Sequence, residues 1–522
     1  MAPKNTSAAA TAATALLPQY VTPFHESRAN APPAQPSANG PYTETGVYRY
    51  EHNRGSHEFF SPGPHSSERT VTAPSAIFNL ASTIVGGGVL SLPYAFDKCG
   101  LVLTVVFMVL SAAASNFSLY VIVSCSRRGG ATTYEEIVRK ALGPKAGLIT
   151  VTLLVLLTFL TMVAYVILVK DLVGSLGEQF LFARAISVVE KNVLTLICMS
   201  LILPVLFTRS MDALRFTSMF SLMSVLLLAT AITIRAVKSL QSHGDATSSA
   251  PLSTDQVADH TIPIKLFPTH WQDPVFAFPI ISISFLCHFN VLPVYRELRE
   301  PTRQRLKKIV SATMFSTWAF YMLVGTMGYL FAYQLPGGVR DDILNNFSGN
   351  DALVNVGRLG LLLTIMMNMP LIMQPCRMNI IRLSKYVSGF VKSYTSKSSS
   401  SPSSSGESIA LLTTPTLPGA VTPPEVPYVS ETVFHVVLTV AIIGGVLALA
   451  IVTPGVAVVW NMVGSTVGIL ISYVLPCVSY IRIRHNKHYS DKRKLAAWVI
   501  LVVSSMMCVV CTLQSIASVV GL

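Results

Sequence analysis

Eleven apolar stretches, each long enough to cross a hydrocarbon layer, constrain this chain more than any motif in it. They fall at about 74–96, 101–124, 147–170, 192–208, 214–237, 275–294, 309–333, 353–376, 431–452, 456–480 and 495–520, against the roughly 20 residues that a spanning helix needs. In lipid every backbone N–H and C=O must be satisfied within the fold, so segments of this kind span as helices. The expected class is all-α: a polytopic membrane protein with eleven transmembrane helices. Composition agrees, since 51% of the residues are hydrophobic and only 12% charged, too few to cover a water-soluble surface. The lipid bilayer is therefore an expected partner.

A net charge of +13 would ordinarily raise nucleic acid as a partner, but the basic residues lie between apolar runs and not along one amphipathic face, so no nucleic-acid role is expected. They act as topology anchors. With a cytosolic amino terminus, most of the 38 Lys and Arg fall in the inner segments, loop after loop, which sets the orientation. Residues 1–72, rich in Ala, Pro, Ser and Thr, read as a disordered cytosolic tail; residues 393–428 read as a disordered cytosolic loop, and 481–522 as a basic cytosolic loop followed by the eleventh helix. The eight cysteines sit in or beside apolar runs and suggest neither a disulfide framework nor a metal site.

The first span carries an informative defect. Gly86, Gly87 and Gly88 fall near mid-membrane, where each glycine costs roughly 1 kcal/mol of helix stability relative to Ala. A helix that weak is expected to break, and broken helices at membrane depth are tolerated only where the freed backbone groups line an enclosed cavity. Freed N–H groups suit a carboxylate, and carbonyls at a half-helix end suit an ammonium or a sodium ion. An amino acid carries both charges. The alternative is that the glycines only let helices pack closely. The sixth span has a matching irregularity: Pro279 and Pro293 bracket Ser282, Ser284, Cys287, His288 and Asn290. Paired interruptions in the first and sixth spans point to a binding site between two inverted halves.

The motifs NLASTIVGGGVLSLPYAF at 79–96, AYVILVKDL at 164–172, SFLCHFNVLPVYREL at 284–298 and PLIMQPCR at 370–377 resemble the amino acid/auxin permease family. The likeness extends from about residue 73 to the end and is nearest to kinetoplastid amino acid permeases and sodium-coupled neutral amino acid transporters. It implies a LeuT-like 5+5 inverted-repeat core over 73–480 with one extra helix, and secondary active transport of cationic or small neutral L-amino acids by alternating access. It places substrate contacts on Thr83, Ile84, Val85, Gly86, Gly87 and Gly88, on Ser284, Phe285, Cys287 and His288, and on Tyr165. No cofactor is implied beyond a coupling ion, H+ or Na+. Sodium-coupled members have an asparagine where this chain has Ser82, which favours proton coupling, although Ser82, Thr364 and Asn368 remain candidate ion ligands.

His288 can be read as a proton carrier, because an imidazole titrates near neutrality, or as a neutral group whose hydrogen bond to a neighbouring carbonyl holds the broken helix open. Asn346 begins a glycosylation sequon on the expected outer face, and Glu407 to Leu412 match an acidic dileucine pattern that a sorting adaptor would read. The plasma membrane is the expected address, with endosomal, lysosomal or vacuolar membranes as alternatives. An enzyme is not expected, since the sequence shows no nucleophile with a paired base and no phosphate loop. A membrane sensor that binds an amino acid without efficient transport is the rival reading.

Overall fold

The structure, a computed structural model, describes residues 71–207, 217–248, 263–398, 428–484 and 492–520. The expected amino-terminal tail, most of the 393–428 loop and the Glu407–Leu412 pattern lie outside them.

The described residues form an all-helical bundle whose successive long helices alternate in direction. In chain order these are α1 (Ala73–Ile84), α2 (Leu92–Cys99), α3 (Leu101–Gly129), α4 (Tyr134–Leu142), α5 (Pro144–Gly177), α6 (Val188–Leu206), α7 (Thr217–Ser248), α8 (Gln272–Ser284), α9 (Val291–Glu297), α10 (Arg303–Ala332), α11 (Ala352–Ser398), α12 (Tyr428–Val452), α13 (Val456–Val463), α14 (Leu475–Ile483) and α15 (Lys492–Val520). Among the described residues, nine helical segments are long and apolar enough to span, and a tenth span results if the bent α1–α2 pair is one crossing. The sixth expected span is divided into α8 and α9, neither of which is long enough to cross alone. The stretch expected as one helix at 456–480 runs through two π-helical turns, Gly464–Gly468 and Leu470–Val474, between α13 and α14.

Local sequence explains where the helices begin. Thr72, Thr133, Ser187 and Thr302 each accept a backbone N–H from three residues on, and Ser187 with Glu190 completes a capping box. Gly100 turns the chain between α2 and α3 at φ 74°, where an added Cβ would lie 2.7 Å from the backbone of Phe267.

Lipid tails are as apolar as leucine, so helix association here depends on close packing more than on escape from water. Glycines supply the approach: Gly325 and Gly328 of α10 receive Phe96 and Pro93 of α2, Gly357 and Gly360 of α11 receive Leu228 and Ser224 of α7, and Gly464 abuts the Pro279 carbonyl of α8. The bundle therefore has two ends. One carries α4 and the starts of α1, α5 and α10; the other carries the α10–α11 loop, whose 3₁₀ turn Ile343–Asn346 covers α2 and α10.

Candidate functional site

The three glycines do break the first helix. α1 stops at Ile84, Val85 leaves helical geometry at φ −77°, ψ 84°, and Gly86 is extended at φ −124°, ψ −154°; a 3₁₀ turn, Gly87–Ser91, then leads into α2. The two halves are inclined by 56°. In the sixth segment α8 ends at Ser284 and α9 begins at Val291, so Phe285 to Asn290 form the second interruption.

Side chains bring the two interruptions together. Asn290 donates from Nδ2 to the Thr83 hydroxyl at 2.7 Å, and that hydroxyl donates to the Asn79 carbonyl at 2.9 Å. A Cβ built on Gly88 would lie 3.5 Å from the Ser284 hydroxyl, and one on Gly86 only 3.1 Å from the Tyr165 hydroxyl of α5. The Ser284 hydroxyl itself donates to the Ile280 carbonyl. Ile84, Val85, Tyr165, Phe285 and Cys287 are buried. Gly87 lies in the 3₁₀ turn.

His288 is wholly enclosed. Its Nε2 lies 2.6 Å from the Ser118 hydroxyl of α3, its ring stands edge-on to Tyr473 at 6.3 Å, and Nδ1 has no partner. The partner is a neighbouring hydroxyl and not a backbone carbonyl. Tyr473 extends the network to Ser115 and Ser282.

The candidate ion ligands are less gathered. The Ser82 hydroxyl turns back to the Asn79 carbonyl at 3.0 Å. Thr364 and Asn368 lie on α11, which packs on α5 and α7, whereas α1 packs on α10, α7 and α9. Thr364 is buried and its hydroxyl has no partner. Asn346 uses both ends of its amide, donating to the Gly338 carbonyl and accepting from the Arg340 N–H.

A cavity of about 480 Å³ opens toward the α4 end, between α4, α5, α9 and α11. Thr158, Phe289, Leu292, Glu297, Asn379 and Arg382 are among its walls, and none of the residues expected to hold substrate lines it. It reaches Phe289, next to His288, and Thr158, which is two turns of α5 and about 10 Å short of Tyr165. Glu135 at its mouth accepts from the Tyr386 hydroxyl at 2.6 Å and lies 3.5 Å from Arg382.

Over residues 69–517 the chain matches the family described as transmembrane amino acid transporter protein, a stretch that includes both interruptions. The chain belongs to this family. The sodium-coupled neutral amino acid symporter 2 of Danio rerio is 22% identical over 467 residues, which cover 87% of this chain and 83% of that protein. Among solved structures, a sodium-coupled sialic acid symporter in a substrate-bound outward-open state is similar at a TM-score of 0.47 and 14% identity, covering 88% of this chain and 92% of that one. A nucleobase-cation-symport-1 family transporter in a closed conformation with bromovinylhydantoin bound is similar at a TM-score of 0.46 and 12% identity, covering 86% and 91%. This transmembrane amino acid transporter is a carrier and not an enzyme, and its substrate is a small molecule. What its two interruptions provide is a meeting of half-helix ends, where unpaired N–H groups present partial positive charge and unpaired carbonyls partial negative charge.

Proposed function

We propose that this chain is a secondary active transporter that grips the zwitterionic end of an L-amino acid on the bared backbone of residues 84–88, opposite Ser284 to His288, and delivers it by alternating access in a LeuT-like core. The observation that carries this reading is the direct contact between the two interruptions, with Asn290 bonded to Thr83 at 2.7 Å and the Tyr165 hydroxyl poised against Gly86. The half-helix ends favour a ligand with one charge of each sign. With the α4 end in the cytosol, the cavity there is the release path of a cytosol-facing state, and its wall balances Glu135 and Glu297 against Arg296 and Arg382, which suits a zwitterion.

The coupling ion is a sodium ion or a proton. The unpartnered, buried Thr364 hydroxyl supports a site on α11 for a sodium ion that lodges there in another state of the cycle. His288, with one ring nitrogen bonded to Ser118 and the other free of a partner, supports a proton site.

The test is uptake into proteoliposomes, one label competed against all twenty amino acids while sodium and pH are varied separately. Counterflow is expected, with sodium or pH dependence naming the ion; saturable binding without counterflow would establish the sensor instead. Gly86→Val adds a branched side chain whose Cβ lies only 3.1 Å from the Tyr165 hydroxyl, and is expected to lower uptake at least a hundredfold while the protein stays monodisperse. Uptake within twofold of wild type would remove the break from the binding site.

A further inference from the structure

At mid-depth α1 and α8 arrive from opposite ends of the bundle and stop with their carboxyl ends facing each other. The last carbonyls of such helices lack intrahelical partners, and each end carries a partial negative charge of about half an electron. Two like ends meeting in an apolar interior repel unless a positive group lies between them. In this chain that place is filled by one side chain. The Tyr321 hydroxyl of α10 donates to the Ile84 carbonyl at 2.8 Å and to the Ser284 carbonyl at 2.9 Å. Tyr321 is fully buried, and its ring stands edge-on to Phe285 at 5.4 Å.

The local sequence of α10 puts it there. Tyr321, Gly325 and Gly328 recur at helical spacing on one face, and the two glycines admit Phe96 and Pro93 of α2, so α10 is held against the broken span at van der Waals distance. A phenol carries a single proton, shared here between two acceptors. The Ile84 carbonyl has both lone pairs engaged, since it also accepts from the Gly86 N–H at 2.9 Å, whereas the Ser284 carbonyl retains one for another donor.

We infer that Tyr321 is a positioning residue that takes the place of a bridging monovalent cation, tying the carboxyl ends of α1 and α8 so that the free lone pair of the Ser284 carbonyl is set for the substrate ammonium. A cation in this position would come and go with the transport cycle, whereas a hydroxyl is permanent. The two broken helices are thus joined at this point independently of the coupling ion, which binds elsewhere. The role in substrate binding rests on the function proposed above; the cation-substituting role does not.

Two variants of the full chain separate the possibilities. Tyr321→Phe keeps the ring and removes only the proton; its substrate KM is expected to rise at least tenfold with a smaller change in maximal rate. Tyr321→Ser removes the ring and opens a space between the two carbonyls. Melting of the purified protein in choline, sodium and lithium chloride is expected to show a cation-dependent rise of several degrees in Tyr321→Ser beyond that of wild type and of Tyr321→Phe. This arm needs no transport, so a wild type that fails to carry amino acids would overturn the function and leave the tie testable. Wild-type KM in Tyr321→Phe would overturn the positioning role. A cation response in Tyr321→Ser equal to that of Tyr321→Phe would overturn the substitution for a cation, and should Tyr321→Ser not fold, Tyr321→Ala is melted in the same three salts and decides in its place.

Discussion

The two ends of the bundle are built from different chemistry. At the α4 end a cavity of about 480 Å³ leads inward, and at its mouth Glu135 pairs with Tyr386 and Arg382. At the other end the α10–α11 loop is sealed down by buried charge. Arg358 of α11, 1% exposed, donates to the Asn355 side chain at 2.7 Å and to the carbonyls of Leu344 and Phe347 at 2.8 and 2.9 Å, capping the 3₁₀ turn that lies over α2. Asp342 caps the start of that turn by accepting the Leu344 N–H. Ion pairs Lys265–Asp97, Lys98–Asp273 and Arg235–Asp351 surround it. An end closed by desolvated caps resists opening until those caps are broken. In the described state the cavity leads inward from the α4 end, while the loop side is closed by the Arg358 and Asp342 caps.

Arg358→Leu is the most forceful way to break this contrast. It leaves three buried acceptors without their donor, at about 1 kcal/mol or more each, so a loss of roughly 3 kcal/mol in stability or in the closed-loop population is expected. A melt together with thiol labelling of a cysteine placed at Tyr94 would read it. Unchanged labelling would mean that the seal does not depend on Arg358.

Asp342→Asn sharpens the comparison by removing one charge. Burial, together with the charge of Asp171, pushes the Asp342 carboxyl up from its usual range to about 8, with Asp341 adding to the rise and Arg358 opposing it. A carboxyl whose pKa is raised in the closed loop binds its proton more tightly there than when exposed. Closure is therefore fully favoured below the ordinary carboxylate range, and the advantage is lost as pH rises from about 4 through about 8. Opening on this side is expected to increase at least tenfold between pH 5 and 8 in wild type and to lose that dependence in Asp342→Asn, whose side-chain oxygen still caps Leu344. A pH profile of Tyr94-site labelling checks it.

Lys265→Met is the mildest probe. The Lys265–Asp97 pair, 2.9 Å long, has a lysine side chain 40% exposed, and such pairs contribute about 0.2–1 kcal/mol. A shift larger than that in melting or labelling would show that the surface ion pairs, and not the buried caps, hold the end shut.

Part of this was legible beforehand. The glycines at 86–88 marked the break because three residues without a Cβ cannot sustain a helix, and the polar residues between Pro279 and Pro293 marked its counterpart; the structure puts the second break at Phe285 to Asn290. Arg358, inside the apolar stretch at 353–376, turns inward, because the carbonyls of Leu344 and Phe347 in the preceding loop need a donor. Tyr321 carried no signal as a functional residue: a tyrosine among apolar residues in a spanning helix is ordinary, and its role arises only when two other helices end beside it. The loop between the second and third spans showed its basic charge but not that it contains α4.

Hydrophobic lengths, glycine and proline positions and the distribution of Lys and Arg determined by themselves that the chain is a helical membrane protein with interrupted first and sixth segments, since the cost of unpaired backbone in lipid acts on each segment separately. Membership of the amino acid transporter family could be read from the same segments. Only the tertiary structure decided which half-helix ends meet, that a phenol proton lies between them, and which end of the bundle is sealed. The meeting of the half-helix ends pairs groups such as Thr83 with Asn290 and Ile84 with Tyr321, more than two hundred residues apart, and the seal pairs a helix with the loop before it; the local rules of helix formation specify neither.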